Sequence, residues 1–299
     1  MNSEKIDFTI ITPSLNYGKY IGECLKSVAD QHGVVLEHLI YDAGSTDQTA
    51  EIVSRYPGVR FVQEPDNGMS SAINKGFAAA RGEWVMWLNA DDRLKPGALR
   101  AVLEFAKGKN ADVLYAGWDF VDEKGDLLRP MTLFPFQKAM LCYLVCYIGS
   151  TSAFYRKKTV LDEGHRLNED FRYVMDGEFY NSLASLGKDF AYLHSRIADF
   201  RMHGGNLSFR HRNKSDRSAS EELVRQKQFA ESATIIRCYG QQAVQSHPWV
   251  WFVDGILFGF FRIKKFVVKR VYRWCVPMVT LESKANDELE TKVGDDSSH

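Results

Sequence analysis

Carboxylates stand at three places where their type and spacing could do chemistry. Asp91 and Asp92 follow the apolar run WVMWL at 84–88. Adjacent carboxylates in a turn suit a hard divalent cation that also ligates phosphate oxygens. Such a cation stabilises charge on a departing diphosphate. Asp42 ends the run LEHLIY at 36–41, where it can accept a hydrogen bond from a base N–H or a ribose hydroxyl, with Thr12 and Pro13 as the neighbouring wall. Asp176, in MDGEF, is the candidate for a base that takes a proton from an attacking hydroxyl, and Glu178 is the second choice. Each group also has a plainer reading. Asp91 and Asp92 could cap the helix that begins near Pro96, the stretch 42–47 could be a turn and a helix cap, and Asp176 and Glu178 could be solvated helix residues.

The elements that must hold these groups are legible from hydrophobic periodicity. Strands are predicted at 8–12, 36–41, 59–63, 84–88 and 112–120, with helices at 18–30, 50–55, 69–80 and from Pro96 through 105. This alternation predicts βαβ units and a mostly parallel sheet with helices on both faces. Ligands of such sheets sit at the carboxyl ends of the strands. Those ends here carry Pro13, Asp42, Asp66 and Asn89 to Asp92, which places several acidic clusters on one rim. Further on, 149–155 and 190–200 read as strands and 174–186 and 218–239 as helices, while the stretch from 127 to 156 is less regular.

Composition narrows the function classes. The chain has 299 residues, 45% of them apolar, and balanced charge (38 basic against 38 acidic), so a sizeable core is available and nucleic acid is not an expected partner. Five cysteines with no C-x-x-C pair read as reduced core thiols in a cytosolic setting. The segment 249–275 has an amphipathic basic pattern that suits a helix lying in a membrane interface or packing on the domain. The acidic tail at 280–299 has little to bury and is expected to be disordered.

Taken together, TPSLNYGKYIGECLKSV, EHLIYDAGSTDQTAEIV, EPDNGMSSAINKGFAAARGEWVMWLNADD, LNEDFRYVMDGEFYNSLASLG and FRMHGGNLS, spanning 8–208, resemble glycosyltransferase family 2. The resemblance implies a GT-A fold, Rossmann-like, with a C-terminal helical extension. It implies an inverting enzyme that moves a sugar from a nucleotide-sugar donor, a UDP-sugar by family habit, to an acceptor hydroxyl. Thr12, Pro13, Asp42 and Asp66 would lie around the nucleoside. Asp91 and Asp92 match the metal and diphosphate motif, for Mn2+ or Mg2+. Asp176 matches the base, and His203 matches a histidine near the diphosphate that can assist the metal. Asn89 stands where many members carry aspartate; its amide can still bond a ribose hydroxyl, with less negative charge near the metal.

The expected organisation is a transferase domain at 1–215, with a donor half near 1–120 and an acceptor half near 121–215, then C-terminal helices at 216–279. The expected acceptor is a saccharide or lipid-linked saccharide of surface-polysaccharide synthesis, at the cytoplasmic face of the inner membrane. Rival readings are weaker. A dinucleotide oxidoreductase needs G-x-G-x-x-G after the first strand, where TPSLNYGKY offers only Gly18 and then Gly22. A nucleotidyltransferase would bring a glycine-rich basic loop at the same place. A non-catalytic nucleotide-sugar-binding module would keep Asp42 but has no need of Asp176.

Overall fold

A computed structural model describes residues 5–143, 146–206 and 219–245. They lie within one compact unit, Met1–Ala243, apart from the last two residues of the final helix. The basic segment at 249–275 and the acidic tail lie outside the described residues.

The first half alternates as its periodicity predicts. Strand β1 (Phe8–Ser14) is buried throughout and leads to helix α1 (Ile21–Ala29). Then follow β2 (Leu36–Asp42), α2 (Thr49–Ser54), β3 (Val59–Gln63), α3 (Met69–Ala79) and β4 (Trp84–Trp87). These four strands are parallel in the order β3-β2-β1-β4. Continuous apolar runs such as FTII and WVMW suit strands covered on both faces. Helix α3 lies close on β1 because Gly76 has no side chain: a Cβ there would stand 2.5 Å from Cγ2 of Ile11.

The second half departs from the simple parallel expectation. The short β5 (Arg93–Leu94) and α4 (Ala98–Ala106) precede β6 (Val113–Val121), which forms a hairpin with β7 (Leu127–Met131). After α5 (Lys138–Tyr143) and a 3-10 turn at Ser150–Ser152, β8 (Ala153–Arg156) inserts antiparallel between β4 and β6. A π-turn (Lys157–Leu161), α6 (Met175–Ser185), β9 (Phe190–Arg201) and α7 (Ala219–Gln245) complete the described chain. The sheet is therefore mixed, in the order β3-β2-β1-β4-β8-β6-β9-β5 with β7 beside β6. The insertion of β8 matters for function. It seats Tyr155 against Trp87, rings parallel at 5.3 Å between centroids, and so joins the two halves through one aromatic core.

Candidate active site

At the carboxyl end of the parallel strands lies a cleft of about 600 Å³. Pro13, Asn89 and Asp91 come to its wall from the first half, and Trp118, Asp176 and Asn206 from the second. Helix α7 closes another side through residues that include Gln228, Phe229 and Ser232. Cavities of this size with a few convergent polar groups are the usual setting of small-molecule sites.

The adjacent aspartates are not equivalent. Asp91 lines the cleft, and its Oδ2 receives Nε2 of His203 at 2.8 Å and Nδ2 of Asn206 at 3.2 Å. Its Oδ1 has no protein donor among the described residues. Asp92 turns inward and is 1% exposed. Oδ2 accepts from Thr151 and Asn89, and Oδ1 from the backbone N–H of Arg201. Burial, then the neighbouring Asp91 charge, push the Asp92 carboxyl well above its ordinary range, against the pull of these hydrogen bonds. Nδ1 of His203 accepts the N–H of Gly205 at 3.0 Å, which leaves the proton on Nε2. His203 is therefore a hydrogen-bond donor to Asp91 in this geometry. It is reached from the cleft through Asp91.

Asp176 sits in the first turn of α6 and faces the cleft. Burial raises its carboxyl from 3.8 to about 6, opposed by the N–H of Gly177. Glu178, two residues on, points elsewhere: Tyr239 of α7 donates its hydroxyl to Oε1 at 2.5 Å. The second-choice base is thus withdrawn from the cleft by its own helical phase.

The remaining expected donor contacts separate in the same way. Pro13 and Asn89 line the cleft, and Oδ1 of Asn89 is buried without a partner among the described residues. Thr12 alternates to the other face of β1, where its hydroxyl meets Nε2 of His38 at 2.9 Å, and burial holds His38 neutral with a value near 3. Asp42 is 1% exposed and serves the β2–α2 loop: it accepts from the N–H groups of Gly44 and Ser45, the Ser45 hydroxyl and Gln63. Burial alone would raise it, but those bonds outweigh burial and hold it below its ordinary value. Asp66 closes a turn on the N–H of Gly68 and does not line the cleft. Thr12, Asp42, Asp66 and Asp92 therefore shape the surroundings of the cleft, and their side chains are not on its wall.

Arg201 has no part in the sequence reading, yet it ties the site together. Its guanidinium, 1% exposed, donates to the carbonyls of Asp91 and Glu123 and to Oε2 of Glu23. The signal was available: an arginine closes the strand run ending in IADF, immediately before Met202 and His203. Among the described residues, no group of three or more His, Cys, Asp or Glu side chains could hold a metal by itself. A hard cation nonetheless fits Asp91, since Mg2+-class ions take one or two carboxylates and complete their shell with substrate phosphates and water.

E. coli chondroitin synthase is 29% identical over 209 residues, covering 68% of this chain, and the chain spans only 30% of that protein's length. S. aureus TarS 1-349, solved in complex with UDP-GlcNAc, superposes with a TM-score of 0.59 at 20% identity, over 81% of this chain and 73% of that one. The Pyrobaculum calidifontis mannosyltransferase PcManGT, solved with GDP-Man and Mn2+, gives a TM-score of 0.50 at 17% identity, over 66% of this chain and 57% of that one. These structures share the fold. The model of glycosyl transferase family 2 matches residues 9–164, just over half of the sequence, and the chain belongs to that family of glycosyltransferases.

Proposed function

We propose that this chain transfers a sugar with inversion from a nucleotide-sugar donor, of the UDP class, to the hydroxyl of a saccharide or lipid-linked saccharide in surface-polysaccharide synthesis. The observation that carries the reading is that Asp91, after β4, and Asp176, on α6, come from opposite halves of the fold to face one cleft. The donor class draws support from the UDP-GlcNAc and GDP-Man held by the two similar structures. The polysaccharide setting draws support from chondroitin synthase and from the succinoglycan biosynthesis protein ExoO, 27% identical over 191 residues.

In this mechanism Asn89 and Pro13 flank the nucleoside side of the cleft. Asp91 would hold a divalent cation, Mn2+ or Mg2+, which when bound would supply positive charge to the leaving diphosphate. His203 and Asn206 orient Asp91, while Asp92 and Arg201 hold the turn that presents it. Asp176 accepts the proton of the acceptor hydroxyl as its oxygen bonds the anomeric carbon. The bond from that carbon to the phosphate oxygen breaks on the opposite side, and its electron pair leaves with the nucleoside diphosphate. A carboxylate raised to about 6 is mostly ionised at neutrality yet holds a proton more readily than an ordinary aspartate, which suits a base that must take and then release a proton.

The donor half is assigned to about 1–120 and the acceptor half to about 121–215. Among the described residues no helix is long and apolar enough to cross a membrane. The basic segment at 249–275 is proposed as an interfacial contact that brings the cleft to a lipid-linked acceptor. Liposome flotation with and without that segment tests the contact, and equal binding would remove it. The anomeric configuration of the product, read by proton NMR from an α-linked donor, tests the mechanism. A β product is expected, and an α product would overturn direct displacement.

A further inference from the structure

Three successive backbone N–H groups lead into the helix that carries Asp176, and all three point at one carboxylate from a different helix. Glu231, on α7, accepts from Arg172 through Oε1 at 3.1 Å. Its Oε2 accepts from Tyr173 at 2.9 Å and from Val174 at 3.1 Å. Consecutive N–H groups in a turn form a concave nest that favours an anion. Helix α6 has no cap of its own here, because Val174 occupies the N-cap position and supplies no side-chain acceptor. The N–H groups just before the helix take their acceptor from 57 residues further along the chain.

The geometry places this contact where it bears on chemistry. Asp176 lies two residues beyond Val174, within the first turn of α6. Rotation of the backbone at the nest is carried into that turn and displaces its carboxylate relative to the cleft. The same helix grips α6 one turn later, through the Tyr239 hydroxyl on Glu178, and grips α5 through the Tyr143 hydroxyl on the Gly240 carbonyl. Other residues of α7, Gln228 and Ser232 among them, line the cleft itself.

We infer that Glu231 is a positioning residue for transfer: its carboxylate locks the nest at 172–174 and thereby sets where Asp176 meets the acceptor hydroxyl. The inference rests on the reading of Asp176 as base. A misplacement of about 1 Å in a reacting group costs on the order of 100-fold in rate. A tie that only added stability would leave kcat unchanged below the melting temperature.

The test uses the full chain, MnCl2 and the hydrolysis of UDP-N-acetylglucosamine or GDP-mannose, with Glu231→Ala, Glu231→Gln and the exposed α7 control Arg237→Ala. In Glu231→Ala, kcat is expected to fall about 10- to 100-fold with donor KM unchanged, and excess formate, filling the vacated nest, is expected to restore part of it. Hydrogen exchange of the amides of Tyr173 and Val174 is expected to quicken in both Glu231 variants. Glu231→Gln keeps the bulk but sets an NH2 among N–H donors, so it is expected to lose kcat as well, and it carries the test if the alanine variant does not fold. Arg237→Ala should match the wild type. Full kcat in folded Glu231 variants, or a loss that formate leaves untouched and that donor KM shares, would overturn the inference. If Asp176→Asn keeps full kcat, the base reading fails first. If Asp176→Asn is inactive while the Glu231 variants are normal, only the positioning role fails.

Discussion

The hydroxyl of Thr151 donates to Oδ2 of Asp92 at 2.7 Å, inside the protein and away from the cleft. With the Arg201 N–H on its other oxygen, Asp92 is a buried acceptor beside the cleft-facing Asp91. Asp91→Ala is therefore expected to weaken Mn2+-dependent binding of UDP at least tenfold, by about 1.4 kcal/mol or more, and to lower the melting temperature as well, because His203 and Asn206 lose their acceptor. Asp92→Ala orphans buried donors and is expected to cost about 2–4 kcal/mol of stability. Isothermal titration and thermal melts on the two variants separate these effects. Equal metal-dependent binding in Asp91→Ala and wild type would remove Asp91 from the site.

Asp176 makes a pH prediction with a definite sign. Its carboxyl is raised from 3.8 to about 6, so the folded chain keeps this proton more tightly than the unfolded chain. Stability falls as pH rises from about 4 to about 6, and the deficit persists above that range. The full shift corresponds to about 3 kcal/mol, which its partial exposure to the cleft trims to about 1–2 kcal/mol. Asp176→Asn should melt higher than wild type at pH 7.5 but not at pH 4, and should lose about 100- to 10,000-fold in transfer. Wild-type kcat should drop about tenfold per pH unit well below pH 6 and level off above it. A pH-independent rate between 5 and 7 would rule out this carboxylate as the base.

Glu178 separates position in sequence from position in space. Its carboxylate is raised by burial and bound by Tyr239, so it contributes packing between α6 and α7. Glu178→Gln and Tyr239→Phe are each expected to cost about 1–2 kcal/mol of stability while kcat stays within a few-fold of wild type. A hundredfold loss of kcat in folded Glu178→Gln would reinstate it as the base.

Asp42 is expected to act through the loop it holds. Asp42→Ala releases the N–H groups of Gly44 and Ser45 together with the Gln63 amide, at a cost of about 2–3 kcal/mol. Its carboxyl is held below 3.8, so its stabilisation is present above that pH and is lost as pH falls through the lowered value. Urea melts of wild type and Asp42→Ala at pH 7 and pH 3 should therefore converge at the lower pH. A constant difference between them would contradict the linkage.

The local pattern of apolar runs and breakers already specified the first half. Strands at Phe8–Ser14, Leu36–Asp42 and Val59–Gln63, and the loops at their carboxyl ends, follow from short-range periodicity. The same motifs carried the family, and with it the expectation that Asp91, Asp92 and Asp176 serve one site. Which member of each acidic pair faces the cleft was decided by packing. Asp91 and Asp92 are identical in type and adjacent, and Thr151 and Arg201, 59 and 109 residues away, join the nearby Asn89 in holding Asp92 inward. Asp176 and Glu178 share one turn but differ in helical phase, and which of the two phases meets the cleft depends on how α6 packs, with Tyr239 of α7 holding Glu178. Strand β8, set antiparallel between β4 and β6, and Glu231 on the nest at 172–174 are likewise long-range choices. Local sequence sets propensity and period over a few residues. The free energy that chooses between neighbouring side chains comes from desolvation and from hydrogen-bond partners that reach the site only when the chain has folded.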